Sequence, residues 1–378
     1  MTHLIIGSGA AGITAAGKLR EIDPSGDIIV ASSDTEPYMK MYLTDYISGS
    51  IKPDRILTGD LIKGKKNDIV FLPGKTLASI DAENKIVYFI DKSSLEYDRL
   101  LVATGTRAVI PQIDLDDDVV YHLSDSLDGV KRITENIIPL DKAVVIGAGA
   151  TGIQTAVSLS KAGLHVSIIE RDPVILKRHL DKIQSDTLIR ILERTGIRVF
   201  VSRECSVIRK DRVVFKTGDE IQFDHLVFCC GQEPCSDFLT DSGIVYDPYV
   251  NINQMCKTNI EDIYAAGSVA GALCNQQAVK QAEIAAYGMA DAKCPGLEGY
   301  HPFVMRDLEL SFYGRFHDPD RSGEITLKQK HEYKKLVLDQ GNLSGFIFIG
   351  DCRKTKTAVN LINEKKNIGD AELRDLMG

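Results

Sequence analysis

The strongest constraint on this chain is the glycine pattern G-x-G-x-x-G, which occurs twice, each time after a short apolar run and before a helix-forming run. The apolar runs are residues 4–6 and 143–146. In a strand–turn–helix unit, the first glycine permits a tight turn, the second lets the backbone approach a pyrophosphate, and the third lets the helix pack closely on the strand. The glycines are Gly7, Gly9 and Gly12 in the first copy and Gly147, Gly149 and Gly152 in the second.

Each glycine pattern opens a helix, and a helix N-terminus favours negative charge because its first N–H groups are unpaired. In the first copy this end of the helix contains Ala10 and Ala11. Two copies in one chain imply two dinucleotides. The sequence therefore predicts an α/β fold with two Rossmann-like dinucleotide-binding domains.

The second strand of a dinucleotide unit commonly ends in an acid that binds ribose hydroxyls. In the first copy the predicted strand 27–31 is followed by Ser32, Ser33 and Asp34. Asp34 is the first candidate for the ribose, and Ser32 or Ser33 is the alternative occupant of that position. A plain turn that begins at Asp34 explains the residue equally well.

In the second copy the strand 165–169 is followed by Glu170, 18 positions after Gly152. A carboxylate there accepts hydrogen bonds from a ribose 2′-OH and repels a 2′-phosphate, which favours NADH over NADPH. Arg171 moderates this preference because an arginine can receive the 2′-phosphate.

Three further apolar strands end on glycine, at Thr104-Gly105, at Gly231 and at Gly267-Ser268. A strand that ends in this way can bring its backbone against a second phosphate or the edge of a ring system. A crossover between domains is the alternative at Thr104-Gly105. The apolar stretches 69–72 and 85–90 predict a small antiparallel insert. From about residue 295 onward, apolar stretches alternate with turn signals, which predicts a third, antiparallel α+β domain with a terminal helix.

Length and composition fit a protein of two or three domains and exclude some classes of function. The chain has 378 residues, more than a single core usually supports. Its net charge of −8 argues against a general nucleic-acid binder. The sequence has neither an apolar stretch long enough to cross a bilayer nor a secretory signal, so we expect a cytoplasmic protein that does not bind membranes.

The order of the motifs resembles the pyridine nucleotide–disulfide oxidoreductase superfamily over essentially the whole chain. Within it, the NADH:rubredoxin reductases and the flavin-binding part of NADH-dependent nitrite reductases look most similar. Besides Gly7 to Gly12, the segment 37–43 resembles P-Y-x-R-P-x-L, with Lys40 in place of the arginine. Residues 97–105 resemble Y-D-x-L-x-x-A-T-G. Residues 258–267 and 278–289 resemble the strand and the helix that lie under the flavin in the family.

The resemblance implies that FAD binds at the first glycine pattern and NADH at the second. It divides the chain into an FAD-binding domain of residues 1–106 and 236–296, an NAD-binding domain of residues 107–235 and a C-terminal α+β domain of residues 297–378. Lys40 is the residue that we expect to act on the reaction, because an ammonium near the flavin stabilises its reduced form. A phosphate-binding or salt-bridging lysine is the alternative for Lys40.

Three positions depart from the family pattern. Ser268 stands in place of an aspartate that hydrogen-bonds the ribityl chain of the flavin, which predicts weaker flavin binding unless other donors compensate. Gln154 replaces a glutamate near the nicotinamide, and Ala282 replaces a helix glycine.

The eight cysteines include no C-x-x-C pair, and the segment around residue 43, where relatives carry a reactive cysteine, has none. We therefore expect an electron conduit that transfers electrons from NADH through FAD to a small acidic redox protein such as rubredoxin. The lysine-rich stretches 63–66 and 328–335 are candidate docking sites.

Two other functions stay open at this stage. One is the flavin subunit of an amino-acid or opine-type dehydrogenase, suggested by the segment 267–271. The other is a non-catalytic nucleotide-binding scaffold or redox sensor, suggested by Ser268. The oligomeric state is not encoded in any pattern that we recognise.

Overall fold

The structure is a computed structural model, and it describes residues 1–58, 68–295, 303–314, 323–365 and 367–378. The chain divides into two compact units. The first consists of the described residues of Met1–Val109, Asp125–Asp128 and Gln232–Glu298. The second consists of the described residues of Ile110–Ser124, Gly129–Gly231 and Gly299–Gly378.

The strands of the described residues are numbered in chain order. They are β1 (Thr2–Ile6), β2 (Asp27–Ala31), β3 (Ile69–Leu72), β4 (Leu77–Asp81), β5 (Ile86–Phe89), β6 (Ser94–Glu96), β7 (Arg99–Val102), β8 (Thr106–Ala108), β9 (Asp114–Leu115), β10 (Tyr121–Leu123), β11 (Lys142–Ile146), β12 (His165–Ile169), β13 (Arg198–Phe200), β14 (Cys205–Arg209), β15 (Arg212–Phe215), β16 (Glu220–Gln222), β17 (His225–Phe228), β18 (Gln232–Pro234), β19 (Ile263–Ala265), β20 (Phe303–Met305), β21 (Leu310–Gly314), β22 (Gly323–Lys328), β23 (Tyr333–Asp339) and β24 (Asn342–Ile349).

The α-helices of the described residues are numbered in the same way. They are α1 (Ala10–Ile22), α2 (Leu43–Ile47), α3 (Pro53–Ile56), α4 (Leu127–Asn136), α5 (Ala150–Lys161), α6 (Lys182–Arg194), α7 (Asn275–Met289), α8 (Thr355–Glu364) and α9 (Asp370–Met377). None of these helices is long and apolar enough to cross a membrane.

The first compact unit is built on a five-stranded parallel sheet with the strand order β19-β7-β1-β2-β3. The apolar run at the start of the chain forms the central strand β1, in which Leu4, Ile5 and Ile6 are almost fully buried. A strand that is buried on both faces reads as a continuous apolar run, as observed here. This confirms the Rossmann-like arrangement predicted for the first glycine pattern.

Helices α1 and α7 pack against each other through small side chains. The shared apolar cluster contains Ala11, Ala15 and Ala16 of α1 and Ala278, Ala282, Ala285 and Ala286 of α7. Alanine side chains let two helix backbones approach closely. Because α1 carries the first glycine turn at its N-terminus, this packing also fixes the position of that turn.

The segment between β2 and β7 differs from the sequence prediction in one respect. Residues 69–72 were predicted to belong to a small antiparallel insert, but β3 pairs in parallel with β2 at the edge of the main sheet. The antiparallel insert consists of β4, β5 and β6. An isolated apolar run of four residues does not distinguish an edge strand of a parallel sheet from a strand of a hairpin, which explains the error.

The second compact unit repeats the arrangement of the first. Its five-stranded sheet has the order β10-β17-β11-β12-β13 and is parallel throughout. The two units also match in register, because Ile6 pairs with Ala31 in one sheet and Ile146 with Ile169 in the other. A second, smaller sheet with the order β16-β15-β14-β9 adjoins it.

The C-terminal part of the second unit forms its own antiparallel sheet, with the order β20-β21-β24-β23-β22, and α8 and α9 pack on it. Leu336, Phe346, Phe348, Ala358 and Leu376 are fully buried there. The predicted α+β architecture of this region is confirmed. The division of the chain into three domains with the boundaries given above stays a prediction.

Candidate functional site

The first glycine turn needs glycine at two of its three positions for steric reasons. Gly7 has a φ of +112°, and a Cβ there would lie 2.2 Å from the carbonyl oxygen of Ala103 at the end of β7. A Cβ on Gly12 would lie 1.9 Å from the carbonyl oxygen of Gly7. Gly9 is different, because no atom lies within 4 Å of the position of its missing Cβ.

The second glycine turn has the same construction. Gly147 has a φ of +104°, and its Cβ would lie 2.3 Å from the carbonyl oxygen of Cys229. A Cβ on Gly152 would meet the carbonyl oxygen of Gly147 at 2.0 Å, whereas the space around Gly149 is open. In both turns the outer glycines are required by the fold, and the middle glycine leaves space in front of the helix.

The chemistry of this space fits the phosphates of a dinucleotide. Gly9 and Gly149 are the N-caps of α1 and α5, and neither helix has a side chain that caps its first N–H groups. Neither helix carries an acid in its first turn. The backbone N–H groups at the start of each helix, including those of Ala10 and Ala11, therefore face open space. A side chain at Gly9 or Gly149 would fill this space, and a pyrophosphate needs both the space and the N–H donors.

Glu170 is held in place by the glycine turn of the second unit. Its Oε2 accepts a hydrogen bond from the N–H of Ala148 at 2.8 Å, and its Oε1 accepts one from the N–H of Asp172 at 2.9 Å. A carboxylate has about four lone-pair positions, so each oxygen retains acceptor capacity for a hydroxyl. Arg171 is exposed beside it. This geometry suits the ribose role predicted for Glu170.

In the first unit, Ser32 occupies the position that corresponds to Glu170. Ser32 is 3% exposed, and its Oγ accepts hydrogen bonds from the Oγ of Ser8 at 2.9 Å and from the N–H of Asp34 at 3.2 Å. Ser33 is exposed and Asp34 is half-buried. Burial raises the pKa of Asp34, and the charge of Lys40 opposes that rise. The sequence prediction named Ser32, Ser33 and Asp34 together, and the structure distinguishes their positions.

Lys40 begins a short 3-10 turn, Lys40–Tyr42, and its side chain is exposed. Its Nζ donates a hydrogen bond to the carbonyl oxygen of Thr106 at 3.1 Å. This bond brings the ammonium to the start of β8, directly after Thr104 and Gly105. Lys40 also lies close enough to Asp34 and Cys235 to lower the pKa of each, although burial has the larger effect and raises both.

Thr104 and Gly105 lie in the link between β7 and β8 and are hydrogen-bonded to Cys235. The Oγ1 of Thr104 donates to the carbonyl oxygen of Cys235 at 2.9 Å, and the N–H of Cys235 donates to the carbonyl oxygen of Gly105 at 3.0 Å. Strand β8 then pairs antiparallel with β18. The first compact unit continues from here to Val109, and the crossover alternative for this strand end stays a prediction. Gly231, which precedes β18, has a φ of +122° and open space around it.

Gly267 and Ser268 follow β19, the strand at the other edge of the first sheet. Gly267 has a φ of +85°, and its Cβ would lie 3.0 Å from the Cβ of Ala11. Its N–H donates to the Oε1 of Gln281 on α7 at 2.9 Å. Ser268 is half-buried, and among the described residues its side chain makes no hydrogen bond. The hydroxyl of Ser268 is therefore free to bind a ligand.

Several residues at this site were not predicted from the sequence. Ser8 lies at an unrestricted position of the glycine pattern, so only the structure shows its bond to Ser32. Gln281 lies within the helix segment 278–289 that resembles the family motif, and this resemblance was the available signal. Leu176 donates its N–H to the carbonyl oxygen of Ala148 at 2.9 Å, from a loop without a recognisable pattern. Gln154 is exposed, and Ala282 is fully buried.

The candidate docking lysines have different environments. The stretch 63–66 lies outside the described residues. In the lysine run 328–335, Lys334 is only 1% exposed, and its Nζ lies 3.2 Å from Glu332 and 3.1 Å from Asp351. Lys335 pairs with Glu324 at 2.6 Å. Lys328 and Lys330 are the exposed lysines of this run.

None of the eight cysteines, all of which lie in the described part of the chain, forms a disulfide. Cys256 is buried, and the other seven are half-buried. Burial raises the pKa of Cys230 and Cys256 to about 12. Such thiols are poor nucleophiles at neutral pH, because the thiolate is the reactive form. No group of three or more His, Cys, Asp or Glu side chains in the described part of the chain is arranged to hold a metal.

Comparison with known proteins agrees with this geometry. A family model described as pyridine nucleotide-disulphide oxidoreductase matches residues 1–288. A subunit epsilon of NADH-dependent phenylglyoxylate dehydrogenase from Aromatoleum evansii is 28% identical over 83% of this chain and 77% of its own length. The assimilatory nitrate reductase electron transfer subunit of Bacillus subtilis is 25% identical over 98% of this chain, which spans only half of that relative.

Solved structures show the same fold. NADH:rubredoxin oxidoreductase from Clostridium acetobutylicum superposes with a TM-score of 0.80 at 23% identity and covers the whole of both chains. The family model covers most of the present chain, including both glycine turns. The chain therefore belongs to the pyridine nucleotide-disulphide oxidoreductase family, as a flavoprotein oxidoreductase that uses FAD and a nicotinamide dinucleotide.

Proposed function

We propose that this protein is an NADH-dependent reductase that passes electrons through FAD to a small redox protein such as rubredoxin, without an active-site disulfide. One observation carries the proposal. The two glycine turns have the same backbone construction and the same open middle glycine, but only the second has a carboxylate, Glu170, bonded to the turn. The second turn therefore suits a dinucleotide whose ribose hydroxyls bind the carboxylate of Glu170. The first turn lacks a carboxylate at this position and suits a different dinucleotide.

The residues that would hold each cofactor follow from this difference. The FAD group would be held by Gly7, Gly9, Ala10, Ala11, Gly12, Ser32, Ser33, Asp34, Lys40, Thr104, Gly105, Gly267 and Ser268. The NADH group would be held by Gly147, Gly149, Gly152, Glu170 and Gly231. In each set the backbone N–H groups bind the phosphates and the residues after the second strand bind the ribose.

The protein supplies binding, orientation and charge, whereas the cofactors supply the redox chemistry: bound FAD accepts a hydride equivalent from NADH and gives up electrons to the acceptor. Lys40 donates to the Thr106 carbonyl, which keeps its positive charge at the start of β8, next to Thr104 and Gly105. Ser268 is available as a neutral hydrogen-bond partner in place of the family's aspartate.

A protein acceptor is supported by what the chain lacks and by its relatives. Residues 42–44 contain no cysteine. The pKa values of Cys230 and Cys256 are raised to about 12, so neither thiol is a good nucleophile for disulfide chemistry at neutral pH. One relative is named as an electron transfer subunit, and a structural neighbour is named as a rubredoxin oxidoreductase. Eight cysteines that form no disulfide also fit the reducing cytoplasm, where we place the protein.

The test is anaerobic reduction of the FAD-loaded chain. We expect NADH to bleach the flavin absorbance faster than NADPH, and we expect added rubredoxin to restore it. A chain that takes up no FAD would contradict the proposal. Reoxidation by a ferredoxin but not by rubredoxin would support the proposed reductase activity and contradict rubredoxin as its acceptor.

The opine-type dehydrogenase alternative is tested in the same experiment. An amino acid or opine should not bleach the flavin, and bleaching by such a substrate without NADH would favour that alternative. The scaffold alternative is disfavoured because the chain belongs to a family of oxidoreductases.

Lys40 provides a separate test of how the protein tunes the flavin. Lys40→Met removes a positive charge near the proposed flavin site, so we expect the midpoint potential of the bound flavin to become more negative. Lys40→Arg retains the charge and should leave the potential close to that of the wild type. Spectroelectrochemical titration of both variants measures the effect. Equal potentials for Lys40→Met and the wild type would leave Lys40 with a purely structural role.

A further inference from the structure

The hairpin loop between β22 and β23 lies against the second half of α6, within the second compact unit. The loop consists of residues 329–332. The Nε of Arg190 on α6 donates a hydrogen bond to the carbonyl oxygen of Lys330 at 3.0 Å. The carbonyl oxygen of His331 packs closely on Gly350, where a Cβ would lie only 2.2 Å from it. The main chain of the loop is therefore fixed at two points.

Four basic side chains come together where the loop meets the helix. We call them the basic cluster, which consists of Arg190, Arg194, Lys330 and His331. Arg190 and Arg194 are four residues apart on α6, so they lie on the same face of the helix, where two like charges are slightly destabilising. Arg194 and Lys330 are exposed, and neither forms a salt bridge with another described residue.

The imidazole of His331 lies in a purely cationic environment. Its Nδ1 is buried and has no hydrogen-bond partner among the described residues. Burial lowers the pKa of His331, and the charges of Arg194, Lys330 and Arg190 lower it further. No carboxylate acts on the ring in the opposite direction. A buried polar atom without a partner costs free energy unless a water or a ligand satisfies it.

The acids nearest in sequence do not neutralise the basic cluster. Glu332 follows His331, but its carboxylate lies 3.2 Å from the Nζ of Lys334. Glu193 is exposed and is not among the groups whose charges act on His331. The dipole of α6 favours a cation in the last turn, which accounts for Arg194 but not for the other cations of the cluster.

The basic cluster lies away from the glycine turn of its unit. Helix α6 connects the parallel strands β12 and β13, so it runs back from the carboxyl end of one strand to the amino end of the next. The glycine turn at Gly147 follows the carboxyl end of β11. The end of α6 therefore lies at the opposite edge of the sheet, and the cluster is separate from the proposed NADH site.

We propose that the basic cluster binds a small anion that carries a phosphate group. The guanidinium groups supply forked N–H donors that match phosphate oxygens, and Lys330 supplies a point charge. Arg190 uses Nε and Nη2 for Lys330 and Thr187, which leaves other N–H donors for a ligand. The Nδ1 of His331 donates to the anion when it carries a proton. None of these residues belongs to the sets that we assign to FAD and NADH.

The experiment follows the histidine side chains by NMR in protein labelled with ¹⁵N-histidine. Potassium phosphate is titrated at pH 7.5 against potassium chloride of equal ionic strength, and His331→Gln identifies the His331 signal. We expect phosphate to shift this signal saturably and to raise the pKa of His331, because a bound anion favours the imidazolium. Chloride should do neither. The readout is local, so phosphate bound at a glycine turn does not contribute to it.

Arg194→Gln and Lys330→Gln change exposed side chains and should fold like the wild type. Each should raise the midpoint of the phosphate titration by about tenfold, because each removes a charged donor. Arg209→Gln is the matched control: Arg209 is an exposed arginine of the same unit that pairs with Asp116 at 2.6 Å. Its midpoint should equal that of the wild type.

Two results would overturn the proposal. One is a His331 signal that phosphate leaves unchanged or shifts no more than chloride does. The other is a wild-type midpoint in both Arg194→Gln and Lys330→Gln. A second titration with glycerol phosphate distinguishes the source of the phosphate group. A midpoint at least threefold below that of inorganic phosphate identifies a phosphate monoester as the ligand, and an equal or higher midpoint identifies the free anion.

Discussion

In each glycine turn, one glycine is required by the backbone conformation and another leaves space for a ligand. Gly7 is forced by its positive φ and by the carbonyl of Ala103, whereas Gly9 has an ordinary φ of −73° and open space around it. The same contrast holds for Gly147 and Gly149. A substitution at the outer glycine therefore acts on folding, and one at the middle glycine acts on binding.

This contrast gives a paired prediction. Gly7→Ala should lower the free energy of unfolding by several kcal/mol, because the Cβ overlaps a backbone carbonyl and the φ is unfavourable for alanine. Gly9→Ala should fold with nearly the wild-type stability but bind FAD at least tenfold more weakly. Thermal unfolding and FAD titration of the two variants measure these effects. Similar stability for both variants would contradict the prediction.

Glu170 carries the prediction on nucleotide choice. Glu170→Gln removes the charge that repels a 2′-phosphate while preserving the size of the side chain. We expect the ratio of kcat/KM for NADPH to that for NADH to rise by about tenfold, which corresponds to about 1.4 kcal/mol. Glu193→Gln, at an exposed carboxylate on α6, is the control and should leave the ratio unchanged. An unchanged ratio in Glu170→Gln would assign nucleotide choice to other residues.

At the scale of elements, the C-terminal sheet contains a buried ionic cluster. Lys334 of β23 lies within salt-bridge distance of Glu332 and Asp351 and also donates to the carbonyl oxygen of Met377 at the end of α9. Arg353 and Lys334 both lower the pKa of Asp351. The cluster therefore joins β23, the loop after β24 and the last helix of the chain.

Lys334 gives the prediction for this cluster. Lys334→Ala leaves two carboxylates without their buried cation and should cost about 3–5 kcal/mol of stability. Lys334→Met preserves the packing of the stem but not the charge, so both variants should be destabilised at pH 7. Because the pKa of Asp351 is lowered in the folded state, its stabilising contribution is present above pH 4 and is lost as the pH falls. Urea unfolding of the wild type and Lys334→Met at pH 7 and pH 3.5 should show a smaller difference at the lower pH.

The elements also show how far the sequence could predict the structure. Strands β2 and β12 match the predicted ranges because an apolar run and a glycine turn define their ends. The pairing of β3 was wrong because the partner of a strand is set by contacts distant in sequence. Lys334 was expected in a candidate docking site, but it occupies a buried position of β23 beside the acids Glu332 and Asp351, which the sequence pattern did not reveal.

The glycine turns of the candidate site were predictable from the sequence, whereas the residues that support these turns were not. The phosphate-binding turns follow from local sterics, so the pattern alone located them. Ser8 and Gln281 act through bonds to residues distant in the sequence, and no local pattern specifies such bonds. The roles of all the predicted cofactor residues stay predictions until binding is measured.

At the scale of the whole molecule, the net charge of −8 disfavours contact with an acidic partner. The lysine run 328–335 offers less positive charge than its sequence suggests, because Lys334 and Lys335 are paired with acids. The exposed lysines of this run are Lys328 and Lys330. Electrostatic attraction through this run alone should therefore be weak.

The corresponding prediction concerns the rate of electron transfer to rubredoxin. Between about 50 and 500 mM NaCl we expect the rate to change by less than about threefold, because two of the lysines in the run 328–335 are already paired with acids. The double variant Lys328→Gln/Lys330→Gln should show little further change. A fall of about tenfold or more with salt would contradict this expectation and point to docking charges elsewhere in the chain, including residues 63–66.

The equal bonds that Gly7 and Gly147 make to the ends of β2 and β12 have a consequence for dynamics. Each amide N–H donates to a strand carbonyl oxygen, with a nitrogen–oxygen distance of 2.8 Å. Each amide hydrogen therefore exchanges with solvent only when its own turn opens. Hydrogen–deuterium exchange at these two amides therefore compares the opening free energies of the two turns within one molecule. Addition of FAD or NADH should slow exchange at one amide more than at the other, which makes the pair an internal reporter of which turn each nucleotide closes.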